Sequence, residues 1–209
     1  MRTRLPALAE LACALRATDV HDWHNVTERF TLWAARADLC AEIRAHLETL
    51  SDTMAETVRA KSRETTTHYA WCLMDQQADA FSFWLHEYKP QLDWRIGYAD
   101  SVHNHRYHFC TTLLKGSYLH ERFTTELNAN GTRVLSATLQ RSGVCAAGES
   151  GTMLAHEFHR IPKAEDGTIT FLVKSRAMRP WSLSFDPATG ISRRHIPVEQ
   201  RLTALAEHI

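Results

Sequence analysis

The chain has 209 residues, of which 44% are hydrophobic and 23% are charged, a balance typical of a soluble globular protein that excludes a disordered chain. Its 24 basic residues equal its 24 acidic residues in number, so no net charge draws it to nucleic acid or to an anionic membrane, and a small-molecule partner is expected. The five cysteines are scattered and form no C-x-x-C pair, which argues against a disulfide framework and predicts a reducing cytoplasm.

The first third of the chain predicts helices. Apolar side chains recur at helical spacing from Leu5 to Leu15 and again from Phe30 to Leu50, whereas residues 51–67 are polar and predict a solvated helix with a Thr-rich end. We therefore expect an α-helical extension at residues 1–66, which packs on the rest of the protein or joins two copies, so that the protein is a monomer or a homodimer. The sequence contains no run of about 18 apolar residues, so no membrane span is predicted. It also shows no helix-turn-helix spacing, so DNA binding is not predicted.

Beyond residue 67 the pattern predicts a mainly β domain. Short β-branched and aromatic runs alternate with turn signals, as in antiparallel sandwiches and jelly-roll barrels. The domain is expected at residues 67–195, followed by a helical C-terminal tail at residues 196–209. The predicted strands are 68–74, 81–88, 93–98, 105–114, 117–127, 133–140, 152–161, 168–175 and 181–186.

Histidines are concentrated in the stretch HNHRYHFC at residues 103–110. In a strand, residues two apart project from the same face, so His103 and His105 can bind one metal ion together. His108 has the opposite parity and is expected to face outward. The H-x-H pair alone is a weak signal in a chain with 13 histidines.

The surrounding residues resemble the cupin family, whose small jelly-roll barrel holds one metal ion. Gly97 stands six residues before His103, Gly116 follows the strand, and further histidines occur in TMLAHEFHRI. The resemblance covers roughly residues 70–190. It implies that the third metal ligand is His156 or His159, of which we favour His159, because its HRI context and its distance from His105 are similar to those of thiol dioxygenases.

The chain departs from most cupins in one informative place. The family's glutamate ligand comes four or five residues after the second histidine, where this chain has Phe109 and Cys110. The pattern is therefore similar to the three-histidine branch, and within it to thiol dioxygenases of the cysteine dioxygenase type, which carry a cysteine at the position of Cys110. The tyrosine to which that cysteine is often crosslinked is absent near Arg176, so Cys110 is expected to be either a free thiol of the pocket or a small buried apolar residue.

The resemblance implies a mononuclear non-haem Fe(II) enzyme that uses O2 to oxidise a small polar substrate bearing a carboxylate, amino-acid or thiol group. Three arginines could bind a substrate carboxylate, and Tyr107 shares the parity of the two histidines and could donate a hydrogen bond in the pocket. The three arginines are Arg95, Arg106 and Arg176. Two alternatives remain open. One is a non-redox isomerase, lyase or hydrolase with Zn, Mn or Ni, whose general base could be His120, His156 or Glu157. The other is a ligand-binding cupin without catalysis.

Overall fold

The computed structural model describes residues 7–95, 97, 100–197 and 205. Four helices lead the described part: α1 (Ala7–Arg16), α2 (Trp23–Ala34), α3 (Leu39–Glu48) and α4 (Asp52–Lys61). Side-chain oxygens cap two of them, since the Asp22 carboxylate accepts from the His24 amide and the Ser51 hydroxyl accepts from the Met54 amide. The predicted C-terminal helix lies almost wholly outside the described residues. No helix among the described residues is long and apolar enough to cross a membrane.

Twelve strands follow the helices. A single turn of 3-10 helix, Gln91–Asp93, interrupts them. The strands are β1 (Arg63–Glu64), β2 (His68–Met74), β3 (Phe81–Tyr88), β4 (Val102–His103), β5 (Phe109–Lys115), β6 (Ser117–Leu127), β7 (Val134–Ala146), β8 (Ser150–Met153), β9 (Phe158–Ala164), β10 (Ile169–Ser175), β11 (Ser182–Asp186) and β12 (Ile191–His195).

The strands form two six-stranded antiparallel sheets. The first has the order β1-β2-β3-β10-β5-β8 and the second has the order β12-β11-β4-β9-β6-β7. Between β3 and β10 every connection crosses from one sheet to the other, except that between β6 and β7. This is the double Greek-key connectivity of an eight-stranded jelly roll. The predicted fold class, a mainly β jelly-roll barrel behind an N-terminal helical extension, is confirmed by this order.

Crossings between the sheets shorten one predicted strand and divide another. The strand predicted at 105–114 begins only at Phe109 with β5 of the first sheet, whereas His103 lies on β4 of the second sheet and residues 104–108 form the crossing. Between β4 and β5 the backbone bonds to distant parts of the chain, since the Asn104 amide donates to the Leu183 carbonyl of β11 and the Met178 amide donates to the Arg106 carbonyl. The run at 152–161 is divided by another crossing into β8 and β9.

Three further differences concern single strands. The strand predicted at 93–98 does not form in its described part, because Asp93 ends the 3-10 turn and the chain at Trp94 and Arg95 belongs to no sheet. Strands β1 and β12 were not predicted; each adds to an outer edge of its sheet. Both are largely exposed, so they lack the apolar alternation by which a strand is recognised.

The helices cover the outer face of the first sheet. Phe30 of α2 stacks on Phe171 of β10 with the ring centroids 6.4 Å apart, and both side chains are fully buried. Since side chains alternate along a strand, Phe171 and Val173 face the helices, whereas Leu172 and Lys174 face the space between the two sheets. The metal-binding candidates lie in that space.

Candidate metal centre

Three histidines converge between the sheets. His103 on β4 is the direct antiparallel partner of His159 on β9, and His105 follows His103 in the crossing segment. One nitrogen from each ring lies within 4.8 Å of the others, and the Nε2 atoms of His105 and His159 face each other at 2.8 Å. The structure thus brings together the three residues that the sequence pattern pointed to.

Hydrogen bonds orient two of the three rings. Nδ1 of His103 lies 2.8 Å from the Ser101 carbonyl oxygen, and because a carbonyl can only accept, Nδ1 carries the proton and Nε2 keeps its lone pair. Nδ1 of His159 lies 2.9 Å from Nε2 of His120. Partners of this kind fix the tautomer and the orientation of metal-binding imidazoles.

Burial keeps the three imidazoles neutral. Loss of solvation lowers the pKa of His103 to about 4, and it holds the pKa values of His105 and His159 well below the usual range. Metals bind the neutral form of imidazole. The rings are therefore in the protonation state that a metal ion requires at neutral pH.

The alternative third ligand, His156, does not join the cluster. It is exposed in the turn between β8 and β9, whereas His159 is only 5% exposed. The neighbouring His108 also faces away from the cavity, where its Nδ1 accepts a hydrogen bond from the Ala155 amide.

The donor set suits a first-row transition metal. Imidazole nitrogens bind Fe, Zn, Cu and Ni, whereas Mg and Ca prefer oxygen ligands. Among the described residues, no carboxylate or thiol belongs to the cluster. The apolar ring of Phe109 stands beside the cluster instead, edge-on to His105 with the centroids 5.0 Å apart.

The histidines open onto a cavity of about 600 Å³, a size that accommodates a small organic molecule. Its lining is rich in basic groups, because four arginines and one lysine face a single described carboxylate, that of Glu149. The basic residues are Arg63, Arg106, Arg122, Arg141 and Lys174.

Tyr107 and Arg106 line this cavity, as the sequence suggested. The Tyr107 ring lies 5.3 Å from the His105 ring, measured between centroids. Burial raises the pKa of Tyr107, so its phenol stays protonated and can donate a hydrogen bond.

Arg95 and Arg176 lie outside the cavity, and the expectation that they bind substrate is corrected. The Arg95 side chain is 65% exposed and forms an ion pair with Glu64. Arg176 forms an ion pair with Asp75 and donates from Nε to the Asp79 carbonyl. Both guanidinium groups therefore bond to partners at the surface of the first sheet and not to a ligand in the cavity.

Cys110 also lies outside the cavity. On β5 the neighbouring Phe109 points to the cavity, so Cys110 points to the helices, where it is fully buried. Its sulfur lies 3.5 Å from the Thr27 hydroxyl and 3.7 Å from that of Thr152, and burial raises the pKa of the thiol. Of the two expected roles, the small buried residue fits the structure and the pocket thiol does not.

Sequence reasoning did not place His120 in the cavity, because strand alternation alone permits either His120 or Glu121 to face inward. His120 lines the cavity, whereas Glu121 forms an ion pair with Arg160. It also overlooked Lys174, although a lysine that shares a strand face with Leu172 was a detectable signal of an inward charge.

Comparison with known proteins gives little beyond the architecture. No family model and no curated protein matches the chain. A single-site variant of Bacillus subtilis oxalate decarboxylase matches with a TM-score of 0.37 and 15% identity, over 56% of this chain and 28% of that one. The Momordica charantia 7S globulin matches with a TM-score of 0.41 and 12% identity, over 65% and 35%. The chain spans about a third of these proteins, and the fold assignment rests on the strand order alone.

Proposed function

We propose that this protein is a mononuclear non-haem Fe(II) oxygenase of the cupin type, which uses O2 to oxidise a small polar substrate. The observation that carries the proposal is the convergence of three neutral imidazoles, without a carboxylate, at the wall of a basic cavity. His103, His105 and His159 would hold the metal.

The absence of a carboxylate from the cluster favours an anionic, metal-chelating substrate. Three neutral ligands leave a divalent ion with its full charge, which a carboxylate or thiolate of the substrate would balance. Fe(II) held by these three histidines would supply the redox chemistry for oxidation of the substrate by O2.

The protein's own groups bind and orient the substrate in this proposal. Arg106 contributes positive charge to the wall, and Tyr107 is a protonated hydrogen-bond donor beside His105. His120 holds His159 through Nδ1 and therefore fixes the direction of Nε2.

The proposed general bases of a non-redox cupin receive less support. His156 is exposed outside the cavity, and Glu157 pairs with Arg122 and accepts from the Leu154 amide. His120 is hydrogen-bonded to His159. To act as the base for Zn, Mn or Ni chemistry, any one of these groups would have to give up its hydrogen bond or move into the cavity.

The test is a measurement of metal and oxygen on anaerobically purified protein. We expect about one Fe per chain, O2 uptake with a substrate found among small thiols, amino acids and diketones, and loss of both in His103→Ala. Zinc in the site with turnover undiminished in the absence of O2 would refute the proposal. Tight ligand binding with no product by mass spectrometry would instead identify a ligand-binding cupin.

A further inference from the structure

A buried lysine lies in the same cavity as the three histidines. Lys174 on β10 is 3% exposed, and its Nζ lies 3.1 Å from Nε2 of His86 on the neighbouring strand β3. The His86 ring stacks on the His68 ring, with the centroids 4.2 Å apart. All three side chains line the cavity.

Two basic side chains of the cavity lie over the same indole ring. Nζ of Lys174 lies 4.3 Å from the centre of the Trp84 ring, and Cζ of Arg63 lies 5.0 Å from it. Arg63 is exposed at the cavity edge, whereas Trp84 is buried. We refer to Arg63, His68, His86 and Lys174 as the lysine cluster.

The lysine cluster lacks a negative charge. Among the described residues, no carboxylate forms an ion pair with Lys174 or Arg63, and His86 is the only hydrogen-bond partner of the Lys174 amine. An ammonium has three donors, and a buried ammonium without a counter-charge is unstable. Glu149, the one described carboxylate of the lining, accepts from the Ala146 amide at the turn before β8. Burial and the nearby Arg63 accordingly lower the pKa of Lys174 well below its usual value.

The cluster is close to the proposed metal centre. The Tyr107 ring lies 5.3 Å from Nζ of Lys174 and also 5.3 Å from the His105 ring. Lys174 is thus at most twice that distance from His105, with Tyr107 between them. One small molecule can reach both places.

We propose that the lysine cluster is a carboxylate-binding site. Lys174 donates to one carboxylate oxygen, and Arg63 supplies the second positive charge from the cavity edge. If the proposed oxygenase function holds, its substrate has two polar ends: one binds the metal, and a separate carboxylate binds Lys174. The inference rests on that function only for this second statement, because the binding site itself needs no metal.

The test uses 4-fluorobenzoate and its uncharged amide, 4-fluorobenzamide, with binding followed by ligand-observed 19F NMR. The full chain is titrated as purified and again after its metal is removed with a chelator, with the fold checked by circular dichroism. We expect the acid to bind at least about tenfold more tightly than the amide in both samples, since a hydrogen bond to a charged group has that strength.

Variants separate the cluster from other cations. Lys174→Met should weaken binding of the acid at least about tenfold, whereas the matched control Lys163→Met, an exposed lysine on β9, should leave it unchanged. If Lys174→Met does not fold, Arg63→Gln, which alters an exposed side chain, should still weaken the acid a few-fold. Equal binding of acid and amide would overturn the proposal. Undiminished binding of the acid by whichever of the two variants folds would also overturn it.

The metal-free titration keeps the two proposals apart. Iron and O2 uptake with no preference for the acid would overturn the carboxylate site alone. A preference for the acid that persists without metal, in a protein that contains no iron and consumes no O2, would overturn the oxygenase and leave the site standing.

Discussion

Asn104 stands between two of the candidate ligands, and its replacement by alanine tests how the ligand segment is held. Its side-chain Oδ1 accepts a 2.7 Å hydrogen bond from the backbone amide of Leu183, and its backbone amide donates to the Leu183 carbonyl. Both residues are at most 2% exposed. Asn104→Ala therefore leaves a buried amide without its acceptor, in a place where water does not easily replace it.

A buried donor left without its partner costs about 1 to 3 kcal/mol. For a protein of this size that loss corresponds to a fall in Tm of roughly 2 to 12 °C. Thermal unfolding of the metal-free protein measures it, with Asn130→Ala, an exposed turn residue, as the control. Because Asn104 connects His103 to His105, metal affinity should fall as well. A Tm and a metal affinity equal to those of the control would refute the view that this hydrogen bond positions the ligands.

Three further outcomes are expected. His120→Phe should weaken metal binding about 10- to 100-fold, since it removes the partner of His159; an unchanged affinity in a chelator competition would contradict this role. Cys110→Ala should keep its metal and its turnover and lose about 1 kcal/mol of stability in urea unfolding, because the thiol faces the helices. Loss of activity at full metal content would contradict this and indicate that the thiol acts in the cavity. Burial lowers the pKa of His68 to about 3 and those of His103 and His120 to about 4. The unfolded chain therefore binds more protons below pH 6.5, and the stability of the metal-free protein should be complete above pH 6.5 and fall towards pH 4, with these three histidines alone contributing up to about 4 kcal/mol per pH unit. A flat profile of unfolding free energy in this window would contradict these pKa values.

The sequence predicted the jelly roll because most of its strands carry their own pattern. Strands β2, β3 and β6 have the predicted bounds, and each is delimited by turn residues. The convergence of His103, His105 and His159 followed from spacing and family resemblance. It did not need the exact strand bounds, because two of the ligands come from strands that pair directly.

The crossings between the sheets were not predictable from local sequence. Apart from Arg106, residues 105–114 are all aromatic, β-branched or apolar, so nothing in the run marks the point at which the chain leaves one sheet for the other. The groups that hold this crossing, Leu183 and Met178, lie more than 70 residues further on. The alternation itself continues across this segment, since the odd-numbered residues from His103 to Phe109 all line the cavity, and it places Cys110 on the opposite face.

Charged side chains were the other source of error. Arg95 and Arg176 were candidates because of their place near the ligand strands, yet each is neutralised by a surface carboxylate that is distant in sequence. Lys174 escaped notice because a single lysine in an apolar strand resembles an edge residue. Its significance comes from the missing carboxylate, which only the packed structure makes visible.

The most direct test of the central claim is the metal content of three anaerobically purified proteins, measured by inductively coupled plasma mass spectrometry. We expect about one Fe per chain in the wild type and in His156→Ala, and none in His159→Ala. Iron retained in His159→Ala and lost in His156→Ala, or a wild type free of transition metal after growth with added iron, would contradict the three-histidine centre.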